Sequence, residues 1–163
     1  APGRRVLDLG SAPGGWAQVA LARGCRVVGV DLLEMAPLEG AVLLQGDVFD
    51  PALLPRLLDA FGGPADVLLS DLAPSSSGQR AVDRLRAEAA AEEVFDLLEH
   101  LLAPSGSAVI KLMRGAEGKL AHQARRRFAK TKLVRPEATR RDSSEIYLVG
   151  LGHVGARAGD DES

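Results

Sequence analysis

Three charged residues lie in or beside apolar, strand-like runs of this sequence. Asp71 ends one run, Lys111 lies within a second, and Glu145 begins a third. Burying an unpaired ammonium group is costly, so Lys111 should either have a carboxylate partner or lose its charge, unless its flexible stem lets the ammonium reach solvent. If the strand ends bring the three side chains into one cleft, they can bind a hydroxyl group and manage its proton.

A glycine-rich turn provides a second candidate site. Residues 6–16 read VLDLGSAPGGW: an apolar run, a turn containing Gly10, Gly14 and Gly15, and the start of a helix-like segment. Glycines there let a ligand approach the backbone, and nucleotide-like cofactors bind at such turns in α/β sheets. The spacing differs from the G-x-G-x-x-G of dinucleotide-binding proteins. Turns of this kind also occur without a cofactor, and the turn alone leaves that alternative open.

Two further acids follow strand-like runs. Asp31 ends the run that begins at Arg26, where a carboxylate is suited to binding a ribose diol. Asp47 follows the third run and can accept a hydrogen bond from an adenine amino group, although an Asx turn before the next helix explains it nearly as well. Together with the turn, the acids indicate an adenosine-containing cofactor.

The hydrophobic pattern predicts alternating strands and helices. The sequence should therefore form one α/β domain, with a seven-stranded, mostly parallel sheet, helices on both faces and an antiparallel last strand. The predicted strands are Arg4–Leu9, Arg26–Leu32, Ala41–Leu44, Asp66–Leu72, Ser107–Met113, Lys132–Arg135 and Glu145–Leu151, and the predicted helices are Trp16–Arg23, Pro51–Phe61, Val82–Leu102 and Gly118–Thr131.

Composition narrows the class of protein. With 163 residues, 46% of them hydrophobic and 26% charged, the chain is expected to form one globular domain. Cys25 is the single cysteine and the three histidines are scattered, so neither a disulfide framework nor a metal site is expected. The sequence contains no apolar run of about 20 residues, the length needed to cross a membrane. We expect no membrane association, and a cytoplasmic or organelle-matrix protein.

The charge distribution gives a mixed indication about nucleic acid. A net charge of −2 and a pI near 5.9 argue weakly against binding, because most nucleic-acid-binding proteins are basic. Basic residues are nevertheless concentrated late in the chain. The candidates for phosphate contacts are Arg125, Arg126, Lys130, Arg140 and Arg141. Such a cluster is more often a solvated helix face than an RNA site.

Six motifs together resemble one family. The series LDLGSAPGGW, GVDLLEMAP, GDV, LSDLAP, IKLMRG and SSEIYLVG is similar, in content and order, to the FtsJ family of ribose 2′-O-methyltransferases of ribosomal RNA. The N/D-P-P-Y/F motif typical of methyltransferases acting on base amines is absent after Ser70. The resemblance implies the class I methyltransferase fold, S-adenosylmethionine as methyl donor, S-adenosylhomocysteine as product and a uridine of large-subunit ribosomal RNA as target.

The resemblance also implies site residues. Three members of the family's Lys–Asp–Lys–Glu tetrad map onto Asp71, Lys111 and Glu145. The implied cofactor-binding residues are Gly10, Ser11, Pro13, Gly14, Gly15, Trp16, Asp31, Leu32, Asp47, Val48 and Asp71. Whether Lys111 acts as a base or as an orienting cation stays open.

One family feature has no counterpart in this sequence. The family's first tetrad lysine lies on a helix before the first strand, whereas this sequence begins with Ala1 and Pro2. We therefore expect the chain to bind S-adenosylmethionine and to transfer methyl groups poorly. We expect a methyltransferase domain over residues 1–152, a polar, disordered tail over 153–163, a monomer, and the large ribosomal subunit as partner. A small-molecule O-methyltransferase and an inactive, cofactor-binding ribosome-associated module remain alternatives.

Overall fold

The protein is described by a computed structural model that covers residues 1–113, 115–136 and 145–155. Seven strands and four helices alternate along most of the chain. They are β1 (Arg5–Leu9), α1 (Gly15–Ala22), β2 (Arg26–Asp31), β3 (Ala41–Gln45), α2 (Leu53–Phe61), β4 (Ala65–Ser70), α3 (Arg80–Leu101), β5 (Leu102–Met113), α4 (Glu117–Arg127), β6 (Phe128–Val134) and β7 (Glu145–His153).

All seven strands form one sheet in the order β3-β2-β1-β4-β5-β7-β6. The pairs among β1 to β5 are parallel, whereas β7 runs antiparallel to both of its neighbours, β5 and β6. This confirms the expected seven-stranded α/β sheet with an antiparallel last strand. From β1 the chain continues outward to β2 and β3 and then crosses back to β4, so β2 and β4 lie on opposite sides of β1. Ligands bind at the carboxyl ends of parallel strands beside such a switch point.

Side chains alternate between two hydrophobic clusters, one on each face of the sheet. Leu7 and Leu9 of β1 face the larger cluster, which contains the buried residues of α2, α3 and α4, among them Phe95 and Leu98. Val6 faces the smaller cluster, formed with Ala17 and Ala20 of α1. Each fully buried large side chain contributes about 1.5–3 kcal/mol of transfer free energy, so the α2–α3–α4 face supplies most of the apolar stabilisation.

Several element boundaries differ from the sequence-based prediction. The predicted helix over 118–131 ends at Arg127, because Phe128 is buried in the core and begins β6, where it pairs with His153. Strand β5 begins at Leu102 instead of Ser107, and β7 continues to His153 instead of Leu151. The imidazole of His153 is buried, so the chain remains part of the domain beyond residue 152.

No helix in the described ranges is long and apolar enough to cross a membrane.

Candidate active site

The sheet brings Asp71, Lys111 and Glu145 together. Lys111 Nζ lies 2.9 Å from Asp71 Oδ1 and 3.7 Å from Glu145 Oε1, and only 10% of the lysine side chain is exposed. The register explains this arrangement. Ser70 of β4 pairs with Ile110 of β5, which sets the next residue, Asp71, beside Lys111. Met113 pairs with Glu145 at the end of the antiparallel β5–β7 ladder, so Glu145 approaches from the other side.

A cavity of about 410 Å³ opens beside this cluster at the carboxyl ends of β1, β2 and β4. Asp71 lines it and also pairs with Lys111, so this carboxylate connects the cavity to the ammonium group. The residues that line the cavity are Gly10, Ala12, Asp31, Leu32, Leu33, Gly46, Asp47, Val48, Phe49, Asp71, Leu72, Ala73, Pro74 and Ala90.

The turn after β1 forms one wall of the cavity. Gly10 has a φ of +75°, and a Cβ atom there would lie 3.1 Å from the backbone nitrogen of Leu72. The N–H groups of Gly10 and Ser11 donate to the carbonyl of Val30 at 2.9 and 3.0 Å. A glycine is therefore required at position 10, both by the backbone conformation and by the close approach of the segment after β4.

Asp31 joins this turn to the end of β2. Its Oδ2 accepts a hydrogen bond from the N–H of Ala12, and its Oδ1 accepts one from the N–H of Leu33, both at 2.9 Å. Each carboxylate oxygen has a second lone pair, so the group can still accept hydrogen bonds from a ligand in the cavity.

Asp47 forms an Asx turn and also lies on the cavity wall. Its Oδ1 accepts a hydrogen bond from the N–H of Phe49 at 3.0 Å, which forms an Asx turn. The residue also lines the cavity, so its other carboxylate oxygen is available as an acceptor. The turn therefore positions the carboxylate at the cavity and engages only one of its two oxygens.

Asp8 is buried beneath the turn. It is 1% exposed, its Oδ2 accepts a hydrogen bond from Ser11 Oγ at 2.9 Å, and its Oδ1 has no hydrogen-bond partner among the described residues. Burial raises the pKa of Asp8 to about 6, and the nearby carboxylates of Asp71 and Asp31 add to the effect, whereas the bond from Ser11 opposes it. Sequence analysis assigned Asp8 no role, although an acid within an apolar run was a visible signal.

Comparison with known proteins places this geometry in a family. The family model described as FtsJ-like methyltransferase matches residues 1–153. A relative from Acidiphilium cryptum named Ribosomal RNA large subunit methyltransferase E is 49% identical over 153 residues, which cover 93% of this chain and 68% of the relative. The chain belongs to the FtsJ-like methyltransferase family.

The FtsJ-like chain is shorter than these relatives. A second relative with the same name, from Gluconobacter oxydans, is 43% identical over 92% of this chain and 57% of its own length. A third, from Granulibacter bethesdensis, is 44% identical over 92% of this chain and 66% of its own length. The chain thus spans 57% to 68% of the length of these three relatives.

Solved structures support the fold of the FtsJ-like chain. A ribosomal RNA methyltransferase from Plasmodium falciparum matches with a TM-score of 0.85 at 23% identity, over 95% of this chain and 89% of that one. Human methyltransferase-like protein 13, in complex with SAH, matches with a TM-score of 0.64 at 13% identity, over 93% and 73% of the two chains. At these identities the likeness establishes the methyltransferase fold.

Not every cofactor-binding residue predicted for the FtsJ-like chain lines the cavity. The predicted residues that line the cavity are Gly10, Asp31, Leu32, Asp47, Val48 and Asp71. Those that do not line it are Ser11, Pro13, Gly14, Gly15 and Trp16. Ser11 is buried against Asp8, and the ring of Trp16 packs on Tyr147, with centroids 5.6 Å apart. The first group therefore lies on the cavity wall, and the cofactor-binding role expected of both groups stays a prediction.

Tyr147 is a residue that sequence reasoning missed. It pairs with Lys111 across β5 and β7. Burial raises the pKa of its phenol, and the carboxylates of Asp71 and Glu145 raise it further. The neutral phenol thus forms one side of the charged cluster, where it can donate a hydrogen bond. An aromatic residue two positions after Glu145 was the available sequence signal.

The basic residues predicted to contact phosphate do not lie beside Lys111. Helix α4 starts at the sheet edge that holds the site and ends at the opposite edge, so Arg125 and Arg126 are exposed far from the cluster. Lys130 pairs with Leu151, also towards that opposite edge. Arg140 and Arg141 lie outside the described residues.

Proposed function

We propose that this domain transfers a methyl group from S-adenosylmethionine to a ribose 2′-hydroxyl of large-subunit ribosomal RNA, at a uridine. The observation that carries the proposal is Lys111, held by Asp71 and Glu145 at the edge of the carboxylate-lined cavity. The names of the relatives, Ribosomal RNA large subunit methyltransferase E, support ribosomal RNA as the substrate.

The cavity fits S-adenosylmethionine by its chemistry. Asp31 offers carboxylate oxygens to a ribose diol, and Asp47 offers one to an adenine amino group, with Leu32 and Val48 as apolar surface beside it. Asp71 adds a third carboxylate. Three carboxylates repel a pyrophosphate and attract a ligand that carries sulfonium and ammonium groups, so the cavity favours this cofactor over a dinucleotide. When bound, the cofactor supplies an electrophilic methyl group.

The charged cluster prepares the hydroxyl group that attacks. An ammonium at Lys111 Nζ, kept in place by two carboxylates, donates a hydrogen bond to the ribose 2′-oxygen and aims one of its lone pairs at the cavity. A ribose hydroxyl loses its proton far above neutral pH, so the proton leaves only as the new bond to the 2′-oxygen forms, and it passes to solvent water. While the O–H bond breaks, the positive charge of Lys111 stabilises the negative charge that develops on the oxygen. The cluster thus contributes orientation and charge stabilisation.

Asp71 and Glu145 have different positions in this mechanism. Asp71 touches both the cavity and Lys111, so it fixes the distance between the cofactor site and the attacking oxygen. Glu145, at 3.7 Å, holds the lysine from the side away from the cavity. Removing Asp71 should therefore damage cofactor binding and transfer together, whereas removing Glu145 should affect transfer alone.

Transfer of labelled methyl from S-adenosylmethionine to undermethylated large ribosomal subunits tests the proposal. Label on a ribose 2′-oxygen, lost in Lys111→Ala but kept in Lys119→Ala, is the expected result. Lys119 is a matched control because it is also paired with two carboxylates, Glu88 and Glu92, but lies on the surface between α3 and α4. Label on a base, or on small molecules but no RNA, would contradict the proposal.

Cofactor binding, measured in the same samples, separates the remaining outcomes. If residues 1–163 bind the cofactor without transferring methyl groups, a chimera that carries the preceding segment of a relative is assayed next, and turnover by the chimera would support the proposal. Absence of cofactor binding would contradict the assigned cavity.

A further inference from the structure

Beyond β1 and β2, the face of the sheet on which α1 packs is open. The other three helices all pack on the opposite face, in the larger hydrophobic cluster. Trp16 of α1 contacts Tyr147, so Tyr147 projects from the α1 face of β7, and Val149 and Leu151 share that face at alternate positions. Leu151 is 47% exposed, and no helix in the described part of the chain covers it. We call this face of β5, β7 and β6 the open face.

The register of the sheet places two lysines on the open face. Lys132 pairs with Val149, and Lys130 pairs with Leu151. Residues that are paired across neighbouring strands project from the same face of a sheet, so both lysines project from the face on which α1 packs. Both are exposed, at the edge strand of the sheet.

Strand β6 leads from these lysines towards the active site. Its last residue, Val134, pairs with Tyr147, which in turn pairs with Lys111. Lys132 is thus two strands across and two residues along from Lys111, a backbone separation of about 12 Å at about 4.8 Å per strand and 3.4 Å per residue. Arg135 follows Val134 directly and is also exposed. A series of exposed basic residues therefore extends along the open face to the charged cluster.

The positive charge along β6 is not neutralised within the described ranges. The side chains of Lys130, Lys132 and Arg135 form no hydrogen bond or ion pair among the described residues, whereas Lys111 and Lys119 each lie beside two carboxylates. Of the residues in strands β5, β6 and β7, one is acidic, and it pairs with Lys111. The open face is therefore complementary in charge to a polyanion.

We propose that the open face binds the RNA strand beside the target ribose, with Lys130 and Lys132 contacting its phosphates. This inference rests on the proposed function and names the surface over which the substrate lies. Phosphate contacts fix the position and orientation of a nucleic acid on a protein, and lysine and arginine side chains are among their usual donors. Contacts along β6 would thus hold the strand in line with Lys111.

Two double variants that remove equal charge test the open face. Lys130→Gln/Lys132→Gln removes its two lysines. Arg125→Gln/Arg126→Gln is the matched control, because these arginines are also exposed but lie on α4, which packs on the opposite face. The dissociation constants for undermethylated large subunits and for protein-free large-subunit RNA are measured at several salt concentrations. The dissociation constant for S-adenosylmethionine and the molar mass in solution are measured for the same proteins.

The lysine variant should bind both RNA ligands more weakly than the unsubstituted protein. Each lost phosphate contact should reduce the slope of log Kd against log salt concentration by about 0.7–0.9, so two contacts should reduce it by about 1.5. The arginine variant should keep the slope of the unsubstituted protein. Neither variant should change the affinity for S-adenosylmethionine, because none of the four residues lines the cavity.

Four results would contradict the inference. The first is an equal slope for the two variants. The second is a loss of affinity for subunits but not for protein-free RNA, which would show that the lysines contact a ribosomal protein. Lysines also protect edge strands from pairing with other chains, so self-association of the lysine variant with unchanged RNA affinity would assign them that purpose alone. Failure of the unsubstituted protein to bind either RNA ligand would contradict the proposed function as well.

Discussion

Replacing Asp8 with Asn should change how the stability of the protein depends on pH. The carboxyl group has a pKa of about 6 in the folded protein against 3.8 for an ordinary aspartate. A folded pKa above the unfolded one means that folding binds a proton between these values, so the contribution of Asp8 to stability falls as pH rises from about 4 to 6. Above that range the folded protein carries a constant penalty for a buried charge.

The magnitude follows from the two pKa values. The shift lowers the free energy of unfolding by about 3 kcal/mol at pH 7.5 and by about 1 kcal/mol at pH 4.5, relative to low pH. At pH 4.5 the Asp8 carboxyl is mostly ionised in the unfolded chain and mostly protonated in the folded protein. Asn does not titrate, and its carbonyl can keep the hydrogen bond from Ser11 Oγ. Any difference in packing between the Asp8 side chain and its Asn replacement changes the free energy of unfolding by the same amount at both pH values. The free energy of unfolding of Asp8→Asn relative to the unsubstituted protein should thus increase by about 2 kcal/mol between pH 4.5 and 7.5.

Urea denaturation at both pH values measures this difference, with the fluorescence of Trp16, the single tryptophan, as the signal. Asp66→Asn is the control. The side-chain and backbone hydrogen bonds of Arg5 lower the pKa of Asp66, so its stabilising contribution is present above pH 3.8 and is lost only below the tested range. A constant difference between Asp8→Asn and the unsubstituted protein at the two pH values would refute the conclusion that burial raises the pKa of Asp8.

Three further outcomes are expected. Lys111→Ala should abolish methyl transfer and leave the calorimetric dissociation constant for S-adenosylmethionine nearly unchanged; lost cofactor binding would show that Lys111 supports the cavity itself. Asp71→Ala should lower both transfer and cofactor affinity, and an effect on transfer alone would contradict its place in the cavity wall. Gly29→Ala should destabilise the fold by about 1–3 kcal/mol in urea denaturation, because the added Cβ would lie 2.6 Å from Ser11 Oγ and the turn must move. An unchanged unfolding midpoint would show that the turn around Ser11 moves aside without a loss of stability.

Much of the fold and part of the site were predictable from local patterns. Apolar runs separated by helical spacing predicted all seven strands and four helices. Strands that are buried on both faces of a parallel sheet are continuous apolar runs, whereas helices that are buried on one face have apolar residues at helical spacing. The carboxyl ends of parallel strands lie at one edge of the sheet, and Asp31, Asp47 and Asp71, which follow three of these strands, line one cavity there. A carboxylate partner was expected for Lys111, and the structure shows two, Asp71 and Glu145.

The sequence by itself thus determined the α/β class, the motif order that shows the FtsJ-like family, and the identity of the charged cluster. Only the tertiary structure decided that Trp16 packs on Tyr147 instead of lining the cavity, that Arg125 and Arg126 lie at the far edge, and that Asp83 accepts hydrogen bonds from Ser76 and Ser77. The physical reason is that these properties depend on register, helix direction and the contacts of exposed loops. Each is set by interactions between distant segments, which leave no periodic signal in the sequence.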